Sequence, residues 1–224
     1  MEKIKGVIFD LDGTLIDTLE AYTQAVNQGI GKFNLKPVSI EKLADFLNRG
    51  LTLEKTLLEL FPTTFEKKEA RLQCLEEVIT VYRYLVKESV SLMPGAEETL
   101  PRLREMGLKI GIVTARTTTG ERKWLELRHL GIDHYIDAIV TGGEAERKPA
   151  TGSLMECLKI LGLSPTECVM VGDSQADILA GKAAGVMTIA LPTGVASRET
   201  LSKDNPEAII DSLADLTAYI STLA

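Results

Sequence analysis

The stretch 6-GVIFDLDGTLID-17 decides the fold, because it ends an apolar run with two closely spaced acids. Residues 7–9 form a short apolar run, which is typical of a buried strand. Asp10 and Asp12 follow at once, and the Gly13-Thr14 pair is typical of a turn. Carboxylates are almost never buried unless they are paired with another group, so this segment indicates a chemical site.

Length and composition are those of an ordinary folded protein. The chain has 224 residues, of which 45% are hydrophobic and 25% charged, and this suits one large domain or a domain with an insertion. The formal net charge of −7 disfavours nucleic acid as a partner, since nucleic-acid-binding surfaces are basic. We expect a small-molecule ligand and a monomer or homodimer.

The sequence pattern contains no targeting signal or membrane span. Residues 2–5 are mostly charged, and no run approaches the roughly 20 apolar residues of a membrane-spanning helix. The three cysteines, Cys74, Cys157 and Cys168, are widely spaced and form no CxxC pair, which favours reduced thiols. These features predict a cytoplasmic protein without a membrane partner.

From about residue 93 onward, helical and strand patterns alternate. Helical segments end in Gly, and apolar runs follow them, such as KIGIVTA (109–115), CVMVGD (168–173) and VMTIALP (186–192). Nearly continuous apolar strands are typical of parallel sheets that helices cover on both faces. With residues 6–9 as one more strand, the pattern predicts an α/β fold built on a doubly wound parallel sheet.

Residues 18–92 follow a different pattern. Apolar residues recur there at three- and four-residue steps between charged ones, which predicts helices. We therefore expect an all-helical cap domain, residues 18–92, inserted into a Rossmann-like core formed by residues 1–17 and 93–224. The insertion follows the first strand, so the cap would lie over the sheet edge at which open α/β sheets bind ligands.

Polar side chains follow three of the predicted strands. Asp10 and Asp12 end the first strand, Thr114 ends GIVT, and Asp173 ends VMVGD with Asp177 shortly after it. Because the carboxyl ends of parallel strands share one edge, we expect these side chains in one crevice. Two carboxylates about 4 Å apart repel by roughly 4 kcal/mol at an effective dielectric near 20, and Mg²⁺ with its oxygen ligands would remove that repulsion.

Two further features are suited to an anion beside such a metal. The Gly13-Thr14 turn offers backbone N–H groups, and Lys148, which precedes Pro149 in a predicted loop, offers an ammonium group. Mg²⁺ commonly bridges protein carboxylates to a substrate phosphate. The crevice is therefore a candidate phosphate site.

Four motifs in this order resemble those of the haloacid dehalogenase superfamily. DLDGTLID (10–17) resembles its first motif, Thr114 its second, Lys148-Pro149 its third and VGDSQAD (171–177) its fourth. The resemblance covers essentially the whole chain, and the insertion site is similar to that of the helical-cap branch. That branch contains phosphoglycolate phosphatases, pyrophosphatases and β-phosphoglucomutases. The resemblance implies Mg²⁺ as the cofactor.

The resemblance also implies the roles of the acids. Asp10 would attack phosphorus and form an aspartyl-phosphate. Asp12 would act first as general acid and then as general base. The carboxylates of Asp10 and Asp173 and the backbone carbonyl of Asp12 would hold Mg²⁺.

The remaining motif residues would contact the phosphoryl group or support those that do. Thr114 and Lys148 would bind its oxygens and stabilise the transferring charge. Gly13 and Thr14 would line the substrate site, and Asp177 would support either the metal or Lys148 without touching substrate.

Asp12 separates the reaction types within the superfamily. The dehalogenase and phosphonatase branches lack an aspartate at this position, so Asp12 favours phosphoryl transfer. We therefore expect a Mg²⁺-dependent phosphoric monoester hydrolase acting on a small phosphorylated metabolite such as phosphoglycolate. The alternatives are a β-phosphoglucomutase-like phosphomutase, an inorganic pyrophosphatase, and a regulator that binds a phosphorylated ligand without turnover.

Two segments bear on the substrate. Phosphatases of this branch usually carry Asn after the motif Thr, whereas this chain has Ala115 and then Arg116. Both positions are candidate substrate contacts, with Arg116 able to replace the polar contacts that Ala115 cannot make. The segment 48-NRGLTL-53 makes Arg49 a candidate contact from the cap. It carries Leu53 where β-phosphoglucomutases have a second basic residue, which favours hydrolysis over mutase action.

Overall fold

Six parallel strands form the central sheet. The computed structural model describes residues 3–223, except for the side chains at positions 88 and 89. The strands are β1 (Gly6–Phe9), β4 (Lys109–Thr114), β5 (Ala138–Thr141), β6 (Cys168–Gly172), β7 (Met187–Ala190) and β8 (Ala208–Ile209). Their order is β5-β4-β1-β6-β7-β8, and every neighbouring pair is parallel. The predicted doubly wound α/β fold is confirmed.

Five helices make up the insertion that follows β1. They are α1 (Leu19–Gly31), α2 (Ile40–Asn48), α3 (Leu53–Leu60), α4 (Pro62–Phe65) and α5 (Lys68–Ser89). Two short strands flank them, β2 (Ile16–Asp17) and β3 (Ser91–Leu92), and these pair antiparallel. The chain therefore leaves the core and returns to it at one point. We call residues 18–92 the cap.

The cap packs around its own hydrophobic cluster. Leu43, Leu57, Phe65 and Cys74 are fully buried there, and the members of the cluster all come from α1 to α5 and the loops between them. Pro62 starts the short helix α4, since proline fits the first turn of a helix, where its missing N–H costs nothing. The cap thus buries apolar surface without help from the sheet.

The remaining helices cover both faces of the sheet. They are α6 (Ala96–Glu105), α7 (Arg122–His129), α8 (Gly152–Leu161), α9 (Gln175–Ala184), α10 (Arg198–Ser202) and α11 (Leu216–Ser221), with short 3-10 turns at Asp133–Tyr135, Pro165–Glu167 and Leu213–Asp215. Val7 and Phe9 of β1 join one buried cluster and Ile8 joins another. This alternation follows from the period of two in a strand.

The register of the sheet brings the motif residues to one edge. Phe9 pairs with Ile112 of β4 on one side and with Val171 of β6 on the other. Asp10 therefore emerges at the centre of the carboxyl edge. Thr114 and Asp173 each lie two residues beyond the partners of Phe9. Asp10, Thr114 and Asp173 therefore lie side by side at the carboxyl edge of the sheet.

The longest described helix, α5, has 22 residues and carries charged residues along its length. Across residues 3–223, no helix combines the length and the apolar character that crossing a membrane requires.

The independent core of the cap leads to a stability prediction. Leu57 is fully buried, so Leu57→Ala should leave a cavity and lower the free energy of unfolding by about 2–5 kcal/mol. Leu72 is 51% exposed, so Leu72→Ala should change it by less than about 0.5 kcal/mol. Urea unfolding followed by circular dichroism measures both. Similar losses for the two variants would contradict the packing described here.

Candidate active site

A buried lysine joins two acids of the site. The Lys148 ammonium donates hydrogen bonds to Asp10 Oδ1 at 2.6 Å, to Asp177 Oδ1 at 2.5 Å and to the Val113 carbonyl at 2.9 Å. Its side chain is only 5% exposed. Burial alone would lower the pKa of Lys148, but Asp10 and Asp177 outweigh burial and raise it. The ammonium is therefore firmly charged and links the ends of β1 and β4 to α9.

The acids outnumber this single cation. Asp10, Asp173 and Asp177 each have a carboxylate oxygen within 4.8 Å of the others. Burial, followed by Asp177, raises the pKa of Asp173 to about 7. Burial also raises the pKa of Asp10 well above its usual value, although Lys148 opposes this. Uncompensated buried carboxylates form a hard oxygen donor set, which fits Mg²⁺.

Asp173 is held rigidly from both sides. Its Oδ1 accepts a hydrogen bond from the Thr14 hydroxyl at 2.9 Å, and its Oδ2 accepts one from the Val195 N–H at 2.7 Å. Gly13 and Gly194 let the backbone approach closely, since a Cβ at these positions would lie 2.6 and 1.9 Å from Asp173 Oδ2. Gly13 also has a φ of +82°, which favours glycine.

Asp177 faces Lys148 rather than an open position. Ser174 caps α9, and Asp177 Oδ2 accepts hydrogen bonds from the Ser174 hydroxyl at 2.6 Å and from its N–H at 3.1 Å. Its Oδ1 accepts from Lys148. Asp177 also does not line the cavity between cap and core, whereas Asp10 and Asp173 do, which leaves these two as the acids better placed for a metal.

Arg116 holds the second acid of the first motif. Its Nε donates to Asp12 Oδ2 at 2.9 Å, and its Nη2 donates to Asp12 Oδ1 at 2.7 Å. The Thr18 hydroxyl donates to Asp12 Oδ1 at 2.7 Å. Burial alone would raise the pKa of Asp12, but the Arg116 charge and these hydrogen bonds outweigh it and lower the pKa. Asp12 is therefore an ionised acceptor here.

Two residues that the sequence motifs did not indicate complete this network. Glu126 of α7 forms an ion pair with Arg116 Nη1. Tyr82 of α5 accepts a hydrogen bond from Arg116 Nη2 at 3.1 Å, and its hydroxyl donates to Asp12 Oδ1 at 3.2 Å. Tyr82 thus links the cap to Asp12. Only its helical spacing was visible in the sequence, and spacing does not reveal a partner in the core.

A second polar contact joins cap and core. The Asn48 Oδ1 accepts from the Gln175 N–H at 2.8 Å, and the Asn48 amide donates to Gln175 Oε1 at 2.9 Å. Gln175 also donates to Asp204 at 2.7 Å. Asn48 ends α2 and Gln175 begins α9, so the pair fixes a cap helix directly above the fourth motif.

Three of the predicted substrate contacts lie outside the lining of the cavity at the site. The Gly13 N–H bonds the Ile16 carbonyl within its turn, and the buried Thr14 hydroxyl bonds Asp173. Arg49 does not line the cavity at the site, because it forms ion pairs with Asp45 and Glu59 on the cap surface.

Six of the predicted residues line one cavity of about 420 Å³ between cap and core. Asp10, Asp12, Ala115, Arg116, Lys148 and Asp173 line it. Thr114 is buried behind this lining and accepts a hydrogen bond from the Arg116 N–H at 3.2 Å. Arg147 and Thr117, which the sequence did not single out, also line the cavity.

Removal of Arg116 should have a pH-dependent cost. Arg116→Met leaves Asp12 and Glu126 without their cation, so the free energy of unfolding should fall by about 2 kcal/mol at pH 7. In the wild type the lowered pKa of Asp12 means that this contribution is present at neutral pH and is lost as the pH falls through that pKa. In the variant, burial raises the pKa of Asp12, so mild acid protonates Asp12. The unpaired negative charge then disappears, and part of the lost stability returns.

Urea unfolding at pH 7 and pH 5 tests this. The difference between wild type and Arg116→Met should shrink at pH 5. Arg128→Met is the control, because Arg128 lies on α7 like Glu126 but has a 49% exposed side chain and pairs with Glu121 on the surface, so its loss should cost less than about 0.5 kcal/mol. A loss for Arg116→Met that is independent of pH would contradict the assignment.

Displacement of Asp173 should weaken metal binding. Gly194→Ala places a methyl group against Asp173 Oδ2 and must shift that carboxylate, so Mg²⁺ affinity should fall by about tenfold or more. Isothermal titration calorimetry with MgCl₂ measures it. Gly31→Ala is the control, since its Cβ would meet nothing within 4 Å. Unchanged affinity in Gly194→Ala would show that Asp173 is not a ligand.

Comparison with known proteins agrees with this geometry. The family model of haloacid dehalogenase-like hydrolases matches residues 7–191. The chain is 31% identical to the pyrophosphatase PpaX of Bacillus mycoides over 99% of both chains. It is also 31% identical to phosphoglycolate phosphatase 1 of Pseudomonas aeruginosa, over 94% of this chain and 77% of that protein.

Solved structures of related proteins share the fold of this chain. A crystal structure of a predicted phosphoglycolate phosphatase from Haemophilus somnus superimposes with a TM-score of 0.87 at 26% identity, covering 98% of this chain and 99% of that one. A β-phosphoglucomutase from Clostridium difficile shares the fold, with a TM-score of 0.81 at 24% identity over 98% of this chain and 96% of the other. The chain therefore belongs to the haloacid dehalogenase-like hydrolases, among their phosphatases.

Proposed function

We propose that this protein is a Mg²⁺-dependent phosphatase that hydrolyses a small phosphorylated metabolite through an aspartyl-phosphate on Asp10. The observation that carries the proposal is the position of Asp10. It lies at the centre of the sheet edge and lines the cavity, and a firmly charged Lys148 bonds one of its oxygens. Bound Mg²⁺ would favour the ionised form of Asp10 against the effect of burial, and a carboxylate next to a fixed cation is suited to attack on a phosphoryl group.

The metal would be held by the chain's own oxygen donors. These are the carboxylates of Asp10 and Asp173 and the backbone carbonyl of Asp12. When bound, Mg²⁺ supplies positive charge that offsets the acids and the transferring phosphoryl oxygens. Asp173 is kept in position for this role by hydrogen bonds from Thr14 and Val195 and by the close backbone of Gly13 and Gly194.

Lys148 and Asp12 have distinct tasks in the reaction. Lys148 orients Asp10 and stabilises the negative charge that develops on the phosphoryl oxygens as the bond to Asp10 forms. Asp12, ionised and bonded to Arg116, is ready to accept a proton from the water that cleaves the aspartyl-phosphate. To protonate the leaving alcohol in the first step, Asp12 must first take up a proton and loosen its bonds to Arg116.

The relatives guide the first choice of substrate. Phosphoglycolate is the first compound to test, because a relative at 31% identity is named for hydrolysing it. Inorganic pyrophosphate is the second candidate, because the pyrophosphatase PpaX is also 31% identical and is covered almost completely. We propose further that the protein acts as a monomer or homodimer in the cytoplasm, without nucleic acid or membrane partners.

Replacement of the nucleophile tests the proposal. Asp10→Asn should lower kcat for phosphate release by at least about 1000-fold, because the amide cannot form the aspartyl-phosphate. Asp17→Asn is the control, since Asp17 is exposed on β2 and its loss should leave kcat nearly unchanged. Chelation by EDTA should abolish release, and added Mg²⁺ should restore it.

A panel of phosphomonoesters and pyrophosphate, assayed for inorganic phosphate, provides the measurement. Release that persists in Asp10→Asn would reject the aspartyl-phosphate route. If the wild type binds a phosphorylated compound tightly but releases no phosphate from it, the result would favour the alternative function, a regulator that binds a phosphorylated ligand without turnover.

A further inference from the structure

The cavity at the active site has two chemically different sides. Its core side carries the charged groups described above, which reach it from the loops at the sheet edge. Its cap side, which we call the roof, is formed mainly by apolar and aromatic side chains. These are Tyr22, Leu47, Leu51, Leu53, Leu75, Val78, Ile79 and Tyr82.

The polar groups of the roof already have partners. Glu54 accepts a hydrogen bond from Arg71 at 2.8 Å, and the Thr52 hydroxyl caps α3 by accepting from the Lys55 N–H at 3.3 Å. Tyr82 is bonded to Asp12 and Arg116. No lysine or arginine from the described part of the cap lines the cavity.

Two of the three cations that line the core side are compensated by acids, whereas the third, Arg147, bonds the Gly142 carbonyl at 3.5 Å and has no ion pair among the described residues. Lys148 bonds Asp10 and Asp177, and Arg116 bonds Asp12 and Glu126. A leaving group that extends from Asp10 past Asp12 therefore meets carboxylates and then the apolar roof. A second negative charge against the roof would be repelled by these carboxylates and would have no cation beside it, because Arg147 lies on the core side, and this is costly in an apolar site.

We propose that the physiological substrate is a phosphomonoester whose leaving group is uncharged and mainly apolar, bound against the roof. This rests on the proposed phosphatase function and narrows its substrate class. It disfavours phosphoglycolate and pyrophosphate, whose leaving groups are anionic. The edge-to-face pair of Tyr22 and Tyr82, with ring centroids 6.2 Å apart, adds an aromatic wall suited to an alkyl or aryl group. A cavity of about 420 Å³ has room for such a group beside the phosphate.

A matched pair of substrates tests the inference. Hexyl phosphate and 5-carboxypentyl phosphate have leaving groups of the same length and differ in a methyl or a carboxylate at the far end. With Mg²⁺ present, kcat/KM for hexyl phosphate should exceed that for the carboxylated ester by at least about 30-fold. It should also exceed kcat/KM for phosphoglycolate.

A cation placed in the roof should reduce this preference. Ile79 is 41% exposed, so Ile79→Lys can fold with its ammonium in water, and it should reduce the ratio between the two esters by about tenfold or more. Leu72→Lys is the matched control on the same helix. Leu72 is 51% exposed and does not line the cavity, so the ratio should stay as in the wild type.

The outcomes separate the inference from the function on which it rests. Equal or faster hydrolysis of the carboxylated ester or of phosphoglycolate overturns the inference and leaves the phosphatase intact. Arg147 also lines the cavity and could bind a second anion. If the wild type prefers the carboxylated ester and Arg147→Met removes that preference, Arg147 is the group that binds the carboxylate, and the inference is overturned. Absence of Mg²⁺-dependent release from every ester would reject the proposed function itself.

Discussion

The buried ammonium of Lys148 is the interaction on which the rest of the site depends. Four acids meet at the carboxyl edge of the sheet, and three of them have oxygens within 4.8 Å of one another. Without a cation between them, the folded chain would have to protonate these acids or move them apart. Lys148 holds Asp10 and Asp177 together while Asp173 remains fixed by backbone and hydroxyl donors. The site therefore keeps unbalanced negative charge at the place where a metal is expected.

The sequence predicted the parts of this arrangement that local rules determine. A parallel sheet brings strand ends to one edge, so residues directly after apolar runs, such as Asp10 and Asp173, had to converge. The alternation of helices and strands likewise predicted the sheet, and helical periodicity predicted the cap helices. The antiparallel pair of β2 and β3 was not expected, because two residues give no recognisable strand pattern.

Contacts between residues far apart in the chain could not be predicted from the sequence. Arg116 was a candidate for substrate binding, yet its guanidinium is bound by Asp12, from the loop after β1, and by Glu126 of α7. Arg49 was expected at the site, but acids nearer to it on the cap surface bind it. An arginine forms ion pairs with the carboxylates that folding places beside it, and one sequence does not reveal which these are. The role of Gly194 was hidden for the same reason, since only the folded backbone brings it against Asp173.

The paired amides of Asn48 and Gln175 have a consequence for the speed of turnover. Both hydrogen bonds join the same two residues, so they form together and break together. Movement of α2 away from α9 is then closer to a switch between two states than to a gradual drift. Each catalytic cycle that requires the cap to lift must cross this barrier once. We therefore expect departure of the product, rather than bond cleavage, to limit the rate for a good substrate.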